Sequence, residues 1–327
     1  MKVLFVLSGY SGLYPYLEKS IQDTFISLGH SIKTINPKIN EENIELIESF
    51  EPDFVLVFVG YKIQMELLHN LKKKGHILGI WFTEDPFYID KSISLAEEFH
   101  FIFTIDLGAY EYYKQILPAK NIIHLPLGTD PSIYFPPKSN NHYFYDLCLV
   151  GYPYPERVQL ANYLLEQTRH KLILAGPFWR RFIKSGDSER MTVINKWIEP
   201  SLVNQVYHSS KIILNSHRSF KFHKNINTLG IENKSINNRT FDIAASGGFQ
   251  LLSARPDIGS HFDTKNEIIT YSTDEDCKNL IHKFLNDGER QRADYSNKAR
   301  ERALNCHTFS HRIQRMINII EGREDKI

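Results

Sequence analysis

The stretch MKVLFVLSGYSGLYPYLEKSIQDTFISLGHSIKTI, residues 1–35, indicates the fold of the chain. Apolar runs at residues 3–7 and 31–35 flank a segment whose large apolar residues recur at the spacing of one helical face (Leu17, Ile21, Phe25 and Leu28). Gly29 follows directly and suits a helix end, because glycine adopts the left-handed conformation without a steric penalty. The pattern predicts a strand, a helix and a second strand.

Short apolar runs of the same kind recur along the chain. In the first half the further runs are residues 54–59, 77–82, 101–105 and 122–125. Residues 130–142 hold three prolines and a polar stretch, which is typical of a linker. Beyond it the candidate strands are residues 147–150, 172–175, 193–198, 212–214, 249–252 and 268–271. Their nearly continuous apolar character indicates parallel strands covered by helices, so we predict an α/β fold with two similar halves.

Length and charge limit the class of protein. The 327 residues suit two domains of roughly 100–200 residues each. Lysine and arginine number 39 against 38 aspartate and glutamate, and this balance argues against a nucleic-acid partner, because such proteins usually carry a basic excess. No apolar run approaches the roughly 18 residues of a membrane span. We therefore expect a folded protein with no nucleic-acid partner and no membrane span.

The cysteines and the N-terminus indicate the compartment. Cys148, Cys277 and Cys306 are far apart and form no CxxC pair, which favours a reducing environment without a structural zinc. The first apolar run is shorter than the roughly 7–15-residue core of a secretory signal. Both observations predict a cytoplasmic protein.

The stretch IENKSINNRTFDIAASGGFQLLSARPD, residues 231–257, is the richest in candidate site residues. Asn237 or Asn238 suits an N-cap for a helix over residues 239–246. A helix N-terminus attracts anions, so a diphosphate can bind there beside Arg239, with Asp242 accepting hydrogen bonds from ribose hydroxyls. The alternative is an ordinary capped helix whose charged residues are solvated or paired locally.

Four motifs resemble one family. The pattern N-x-R-T-F-D-x-x-A-x-G at residues 237–247, which includes Thr240, resembles the nucleotide-sugar site of GT-B glycosyltransferases and, among them, the CgeB-like spore-maturation group. Three further segments are similar to that group in the same order: WFTEDP (81–86), LPLGTDPSIYFP (125–136) and YDLCLVGYPYPER (145–157). The chain is therefore identified as a CgeB-like glycosyltransferase.

The resemblance implies a domain organisation and a reaction. It implies a GT-B-like fold of two Rossmann-like domains with a cleft between them: an acceptor domain at residues 1–135, joined by a final helix at about 307–327, and a nucleotide-sugar domain at residues 143–306. A hexose would pass from a pyrimidine donor, UDP- or dTDP-linked, to an unknown acceptor such as a spore-surface glycan or protein. No cofactor and no metal are expected, and the cytoplasmic location would be that of the spore or mother cell.

The resemblance also suggests roles for single residues. Asp242 occupies the place of the second Glu in the Glu-x7-Glu motif of many retaining members, the residue that holds ribose. Lys234 occupies the place of the first Glu, and this departure leaves the stereochemistry open. Gly151 and Arg157 would flank the phosphates, although Gly151 equally suits a simple tight turn.

Other residues are candidates for the base and the acceptor. Trp197 and Ile198 precede a helix where backbone groups can pair with a pyrimidine, and Trp179 can form an aromatic wall; simple core packing is the alternative for both tryptophans. Gly9 and Tyr10 lie in the loop after the first strand, where a donor phosphate or an acceptor can approach.

Three residues are candidates for catalysis. Glu84 and Asp85 follow a buried strand and suit a general base in an inverting displacement, or else a helix cap or loop ion pair. His217 follows another strand and suits contact with the donor phosphate or the leaving group, although single histidines are often structural. Residues 217–224 interleave cations with aromatics, which favours a loop around an anionic ligand over a nucleic-acid surface.

Two alternatives to this prediction are open. Asp274 and Asp276 follow a strand and resemble the metal-binding Asp-x-Asp of the other large glycosyltransferase fold, but Thr273 as an N-cap with acids in the first helical turn accounts for both. The chain can also be a nucleotide-sugar-binding spore-coat assembly protein without turnover, or a GT-B sugar-nucleotide epimerase.

Overall fold

The computed structural model describes residues 1–137, 143–183, 189–286 and 288–323. By its packing the chain forms two compact units. Unit 1 comprises Met1–Leu127, His223–Ser235 and the C-terminal segment from Phe309, and unit 2 comprises Gly128–Phe222 and Ile236–Thr308. In the described part of the chain, no helix has the length and apolar character needed to cross a membrane.

Unit 1 is built on a six-stranded parallel sheet. In chain order its elements are β1 (Lys2–Val6), α1 (Tyr14–Ser27), β2 (Ser31–Ile35), α2 (Glu41–Phe50), β3 (Phe54–Phe58), α3 (Met65–Lys73), β4 (Leu78–Phe82), α4 (Ile89–Ala96), β5 (Phe101–Thr104), α5 (Leu107–Ile116) and β6 (Asn121–His124). The strand order is β2-β1-β3-β4-β5-β6, so the chain reverses its direction of winding between β1 and β3. The predicted helical face is confirmed, because Leu17, Ile21 and Phe25 are buried.

Unit 2 repeats the architecture with a different strand order. Its elements are β7 (Tyr145–Val150), α6 (Pro155–Gln167), β8 (Leu172–Ala175), β9 (Met191–Ile194), α7 (Pro200–His208), β10 (Ser210–Asn215), α8 (Arg239–Ala245), β11 (Gln250–Ser253), β12 (Ile269–Tyr271), α9 (Asp274–Asn286) and α10 (Glu289–Cys306). The order β12-β11-β10-β7-β8-β9 is that of a Rossmann fold, with the reversal between β7 and β10. The predicted α/β class with parallel sheets is confirmed in both units.

The last helix, α11 (Phe309–Ile320), belongs to unit 1. Its stripe of buried residues, including Ile313, Met316 and Ile317, packs in one apolar cluster with Val3 of β1 and Ile21 of α1. Residues 324–327 of the predicted terminal helix lie outside the described residues.

Three sequence predictions need correction. The segment 223–235 was predicted within the second domain, but it packs in unit 1, because Asp90 and Asp106 accept hydrogen bonds from its backbone. The predicted linker at residues 130–142 is in part packed structure: Tyr134 is buried in the core of unit 2, and residues 138–142 lie outside the described residues. The strand predicted at residues 193–198 is β9 (Met191–Ile194). It ends four residues earlier than predicted, because residues 195–199 lead into α7.

Candidate functional site

The carboxyl ends of β7 and β10 are the place in unit 2 where a ligand is expected. Open parallel sheets bind ligands outside the carboxyl ends of the strands at the point where the winding reverses, and in unit 2 that point lies between these two neighbouring strands. Gly151 follows β7 directly, and Ser216 and His217 follow β10. The sequence-predicted residues Gly151, Arg157, His217 and Arg239 come together here.

Gly151 is surrounded by two guanidinium groups. Its φ is +122°, a backbone conformation that residues with a side chain rarely adopt. A Cβ at this position would lie 2.7 Å from Nη1 of Arg157 and 2.7 Å from Nη2 of Arg239. Glycine is therefore required here both by the turn and by the two arginines that approach it.

Arg157 is a buried cation held by backbone carbonyls. Its Nε and Nη2 donate to the carbonyl oxygen of Ser216 at 3.1 and 2.9 Å, and its Nη1 donates to that of Tyr152 at 3.0 Å. Three of the five guanidinium N–H groups are used in this way, and the other two make no hydrogen bond within the described residues. Burial and the neighbouring charge of Arg239 lower the pKa of Arg157 to about 9, so the group is still charged at neutral pH.

Arg239 is the first residue of α8 and is half-buried. Within the described ranges its side chain makes no hydrogen bond and no ion pair, and Arg157 makes no ion pair either. Two like charges thus converge on Gly151, and among the described residues neither forms an ion pair with a carboxylate. An anion bound between the two groups would reduce their mutual repulsion. It would also offset the free-energy cost of burying the charge of Arg157.

The start of α8 differs from the capped terminus that the sequence predicted. Asn238 has helical angles and makes no side-chain cap; its Nδ2 donates to Oδ2 of Asp242 at 3.0 Å. Asn237 Nδ2 donates to Oδ1 of Asn215 at 2.9 Å. Neither side-chain oxygen caps the helix: Oδ1 of Asn237 accepts from the Thr240 hydroxyl at 3.4 Å, and Oδ1 of Asn238 is buried with no hydrogen-bond partner among the described residues. Thr240 is fully buried, and its Oγ1 accepts from Asn215 Nδ2, so it braces the site from inside.

Asp242 is a buried carboxyl beside the arginines. Burial raises its pKa to about 7, against the opposing effects of hydrogen bonds from Thr129 and Asn238 and of the charge on Arg239. The group therefore changes its charge near neutral pH.

His217 does not have the accessibility that a proton donor to the leaving group needs. It is buried, its Nδ1 is 2.6 Å from Oγ of Ser253, and its Nε2 is 3.1 Å from the backbone nitrogen of Asn237. Both ring nitrogens are thus occupied within the protein. Burial, with the charges of Arg255, Arg157 and Arg239, holds the pKa of His217 well below its usual range.

The predicted base-binding residues fall into two groups. Trp179 is fully buried and its Nε1 donates to the carbonyl oxygen of Gly151 at 2.9 Å, so it holds the turn after β7 and is not an aromatic wall for a base. Ile198 is also buried, in the apolar cluster beside α7. Trp197 is 46% exposed in the segment before α7 and stays a candidate for the base.

Gly9, Tyr10, Glu84 and Asp85 belong to unit 1. Gly9 has a positive φ of 71°, and its carbonyl oxygen accepts from Nζ of Lys62, an ammonium group 4.0 Å from the centre of the Tyr10 ring. The loop that sequence analysis expected to be free for a ligand is therefore partly tied down by Lys62.

Glu84 and Asp85 differ in accessibility. Asp85 is 1% exposed, and its carboxylate accepts from Ser92, Thr104 and Tyr113. Burial raises its pKa to about 6. Asp85 is thus a structural carboxyl that cannot reach an acceptor, contrary to its predicted role. Glu84 is half-buried and accepts from the Tyr14 hydroxyl at 2.6 Å, so it is the better placed of the two candidates.

The structure shows the polar partners of Lys234 and Thr273, two other residues that the sequence analysis considered. Lys234, in the place of the family's first Glu, lies in unit 1 and forms an ion pair with Glu111. The cap at the start of α9 is confirmed, because the backbone N–H of Asp276 donates to Oγ1 of Thr273 at 3.1 Å. In the described part of the chain, no three His, Cys, Asp or Glu side chains are grouped so as to hold a metal ion.

Sequence reasoning missed the contacts that organise this site. The carbonyl of Ser216 is 59 residues from Arg157, and Ser253 is 36 residues from His217. No local pattern marks either partner, since a carbonyl belongs to every residue and the pairing depends on strand order. Gly151, Arg157, His217 and Arg239 were found from the sequence because their residue types carry a local signal.

Comparisons with known proteins identify the family of the chain. The chain is 33% identical over 302 residues to the spore protein CgeB of Bacillus subtilis (strain 168), which covers 91% of this chain and 92% of CgeB. A family described as glycosyl transferase-like matches residues 157–318.

Solved structures share the fold at low identity. The sucrose-phosphate synthase of Thermosynechococcus elongatus aligns with a TM-score of 0.69 at 9% identity, over 98% of both chains. HepE of Anabaena, solved in complex with UDP and glucose, aligns with a TM-score of 0.68 at 11% identity, over 98% of this chain and 100% of HepE. These likenesses show a GT-B-like fold made of two Rossmann-like units. Because it is 33% identical to CgeB over 91% of its own length, the chain belongs to the CgeB-like family of glycosyltransferases.

Proposed function

We propose that this chain transfers a hexose from a pyrimidine nucleoside diphosphate sugar, UDP- or dTDP-linked, and that the diphosphate binds to Arg157 and Arg239 beside Gly151. The observation that carries the proposal is the convergence of two guanidinium groups on a glycine at the switch point of unit 2, without a carboxylate partner in the described residues. Guanidinium groups bind phosphate oxygens with paired, charge-assisted hydrogen bonds.

The same cations account for the chemistry of the leaving group. When the glycosidic bond breaks, negative charge develops on the departing diphosphate. The two free N–H groups of Arg157 and the fork of Arg239 would stabilise that charge in a partly buried site, where electrostatic interactions are stronger than in water. We therefore propose that donor binding needs no metal ion, and expect that a chelator leaves the affinity for UDP unchanged.

The nucleoside is assigned to neighbouring parts of unit 2. Asp242 would accept hydrogen bonds from the ribose hydroxyls, as its place in the family motif implies. Trp197, the exposed aromatic before α7, would contact the base together with the backbone of Ile198. Two proteins of similar fold, HepE and an α-glucosyltransferase, were solved with UDP, and this supports the pyrimidine assignment.

The acceptor side is assigned to unit 1. Glu84 would act as the general base that takes the proton from the acceptor hydroxyl, since Asp85 is buried. Because CgeB is a spore protein, we propose a spore-surface glycan or protein as the acceptor, and a cytoplasmic site of action in the mother cell.

One observation favours a second candidate, a nucleotide-sugar-binding spore-coat assembly protein without turnover. The place of the family's first Glu is held by Lys234, and that lysine is tied to Glu111 in an ion pair within unit 1. A chain that had lost this carboxylate while keeping the two arginines would bind donor without transferring the sugar.

Calorimetric titration with UDP, dTDP, GDP and ADP tests donor binding. We expect UDP or dTDP to bind more tightly than the purine nucleotides. The variant Arg239→Ala should weaken that binding about 10–100-fold, the value of a hydrogen bond to a charged group, with little change in melting temperature because the side chain makes no internal bond. Lys298→Ala, which removes an exposed lysine paired with Asp294, is the matched control and should bind normally.

Slow hydrolysis of a panel of UDP- and dTDP-sugars then separates the two candidates. Release of UDP or dTDP supports the transferase, and analysis of the sugar product without acceptor identifies an epimerase. Normal nucleotide binding with no turnover of any donor would favour the assembly protein. Equal affinity of Arg239→Ala and the parent chain for UDP would contradict the proposed diphosphate site.

A further inference from the structure

His217 joins two parts of unit 2 through both of its ring nitrogens. A backbone N–H can only donate, so Nε2 of His217, 3.1 Å from the nitrogen of Asn237, must carry a lone pair. The ring proton is then on Nδ1, from which it is donated to Oγ of Ser253 at 2.6 Å. The hydrogen bonds thus define one neutral tautomer that connects the end of β11 to the backbone before α8.

The segment that His217 holds leads directly to Arg239. The backbone N–H of Ile236 donates to Oδ1 of Asp257 at 2.9 Å, and the carbonyl of Asn237 accepts from the N–H of Thr240 at 3.0 Å. Within the described ranges no hydrogen bond or ion pair holds the guanidinium of Arg239. The position of that group therefore depends on the backbone from which it extends, and His217 is one of the residues that fix this backbone.

We propose that His217 is a positioning residue for the donor site: its neutral imidazole fixes the backbone of Asn237 and thereby sets Arg239 beside Gly151 for the diphosphate. The ligand in this inference, a nucleoside diphosphate, rests on the proposed function. The hydrogen bonds of His217 on which the inference is built do not. A protonated ring would lose the lone pair that accepts from Asn237 and would add a positive charge near Arg157, Arg239 and Arg255. His217 acts through Arg239 and does not touch the reacting atoms.

Two amide substitutions separate the two bonds of the ring. The amide of His217→Gln reaches about as far as Nε2, so it can still accept from the N–H of Asn237. The amide of His217→Asn reaches only as far as Nδ1, so it can bond to Ser253 but leaves Asn237 without an acceptor. We expect His217→Asn to weaken UDP binding about tenfold, the value of one hydrogen bond, and His217→Gln to bind within about threefold of the parent chain.

A double-mutant cycle tests whether the effect passes through Arg239. In an Arg239→Ala background the substitution His217→Asn should change UDP affinity less than about twofold, since there is no guanidinium left to position. An undiminished tenfold effect in that background would overturn the proposal, as would equal losses for His217→Gln and His217→Asn at matched melting temperatures.

Hydrogen exchange of the free protein tests the geometry without a ligand. The amide of Asn237 should exchange faster in His217→Asn than in the parent chain or in His217→Gln. If His217→Asn does not fold, Ser253→Ala, which removes the partner of Nδ1, should also speed this exchange. Unchanged exchange in these variants would refute the positioning role, whereas altered exchange in a chain that binds no nucleotide would refute only the proposed function.

Discussion

Unit 1 and unit 2 are both six-stranded parallel sheets with helical crossovers, yet the carboxyl ends of their inner strands carry opposite charges. In unit 2 two guanidinium groups converge on Gly151. In unit 1 two carboxyl groups, Glu84 and Asp85, follow β4. The two units thus share one type of strand arrangement, and a few side chains decide the charge at the edge where such sheets are expected to bind ligands.

Burial has opposite consequences for the two edges. Asp85 is buried, and both of its carboxylate oxygens accept hydrogen bonds from hydroxyl groups within unit 1. Arg157 is buried and bonds only to neutral carbonyl oxygens, so its charge is not balanced by any partner in the described residues. An uncompensated buried cation favours binding of an anion, whereas the three hydrogen bonds to Asp85 offset part of the cost of its burial, which still raises its pKa to about 6.

The largest expected effect concerns the carboxylate of unit 1. Glu84→Gln should lower turnover about 10²–10⁴-fold, because the amide cannot accept the proton of an acceptor hydroxyl, while UDP affinity stays unchanged. Donor hydrolysis and calorimetry measure the two quantities. Glu66→Gln, at an exposed position of α3, is the control and should be active. A parallel loss of UDP affinity in Glu84→Gln would contradict the division of roles between the units.

The next effect is on the pH dependence of stability. Asp242 has a pKa of about 7 when folded, raised by burial from 3.8. Between those values the unfolded chain has lost the proton while the folded chain keeps it, so Asp242 lowers the free energy of unfolding as pH rises from about 4 to 7. Three pKa units correspond to about 4 kcal/mol at most.

Asp242→Asn should therefore flatten the pH dependence of the unfolding free energy, measured by urea denaturation from pH 4 to pH 8. Asp85 and Asp106 should still contribute in the same direction, because burial also raises the pKa of Asp85 to about 6 and that of Asp106 to about 7. An identical pH profile for Asp242→Asn and the parent chain would show that Asp242 is not the buried acid described here.

A third effect tests the space around Gly151. Gly151→Ala places a Cβ against both guanidinium groups at a positive φ, so we expect UDP binding to fall about 100-fold and stability to fall by about 1–3 kcal/mol. Gly259→Ala is the matched control in the same unit, since no atom lies within 4 Å of its added Cβ. Normal UDP binding by a folded Gly151→Ala protein would exclude the site between the two arginines.

The smallest effect distinguishes a cap from a metal site. Thr273→Ala removes the side chain that caps α9 and should cost about 1 kcal/mol of stability, with UDP affinity unchanged. Thermal denaturation and calorimetry, each with and without a chelator, provide the measurements. A chelator-sensitive UDP affinity would instead favour a metal role for Asp274 and Asp276.

The sequence predicted the fold well because apolar runs carry a local signal. In the described residues each of the twelve strands lies at or next to a run that was visible in the chain. The signal is clearest for inner strands such as β3, β4 and β8, which are buried at every position and apolar, whereas the edge strand β2 is partly exposed. The segment 223–235 was placed in the wrong half because its attachment depends on Asp90 and Asp106, which are distant in sequence.

The site was predictable only in part, for a related reason. Gly151, Arg157 and Arg239 could be predicted because glycine suits a positive φ and arginine suits an anion, whatever surrounds them. Trp179, Asp85 and His217 were assigned roles that need exposure, and exposure is decided by packing that no local pattern reports. The asparagines before α8 have the composition of a cap, but the nearby amide of Asn215 and carboxyl of Asp242 compete for their side chains.

The return of the chain to unit 1 at residues 223–235, and again from Phe309, has a consequence for the evolution and engineering of this family. Neither unit is one continuous stretch, so a single crossover between two related genes cannot exchange one unit intact. A chimera that keeps each unit intact would have to exchange several separate segments together.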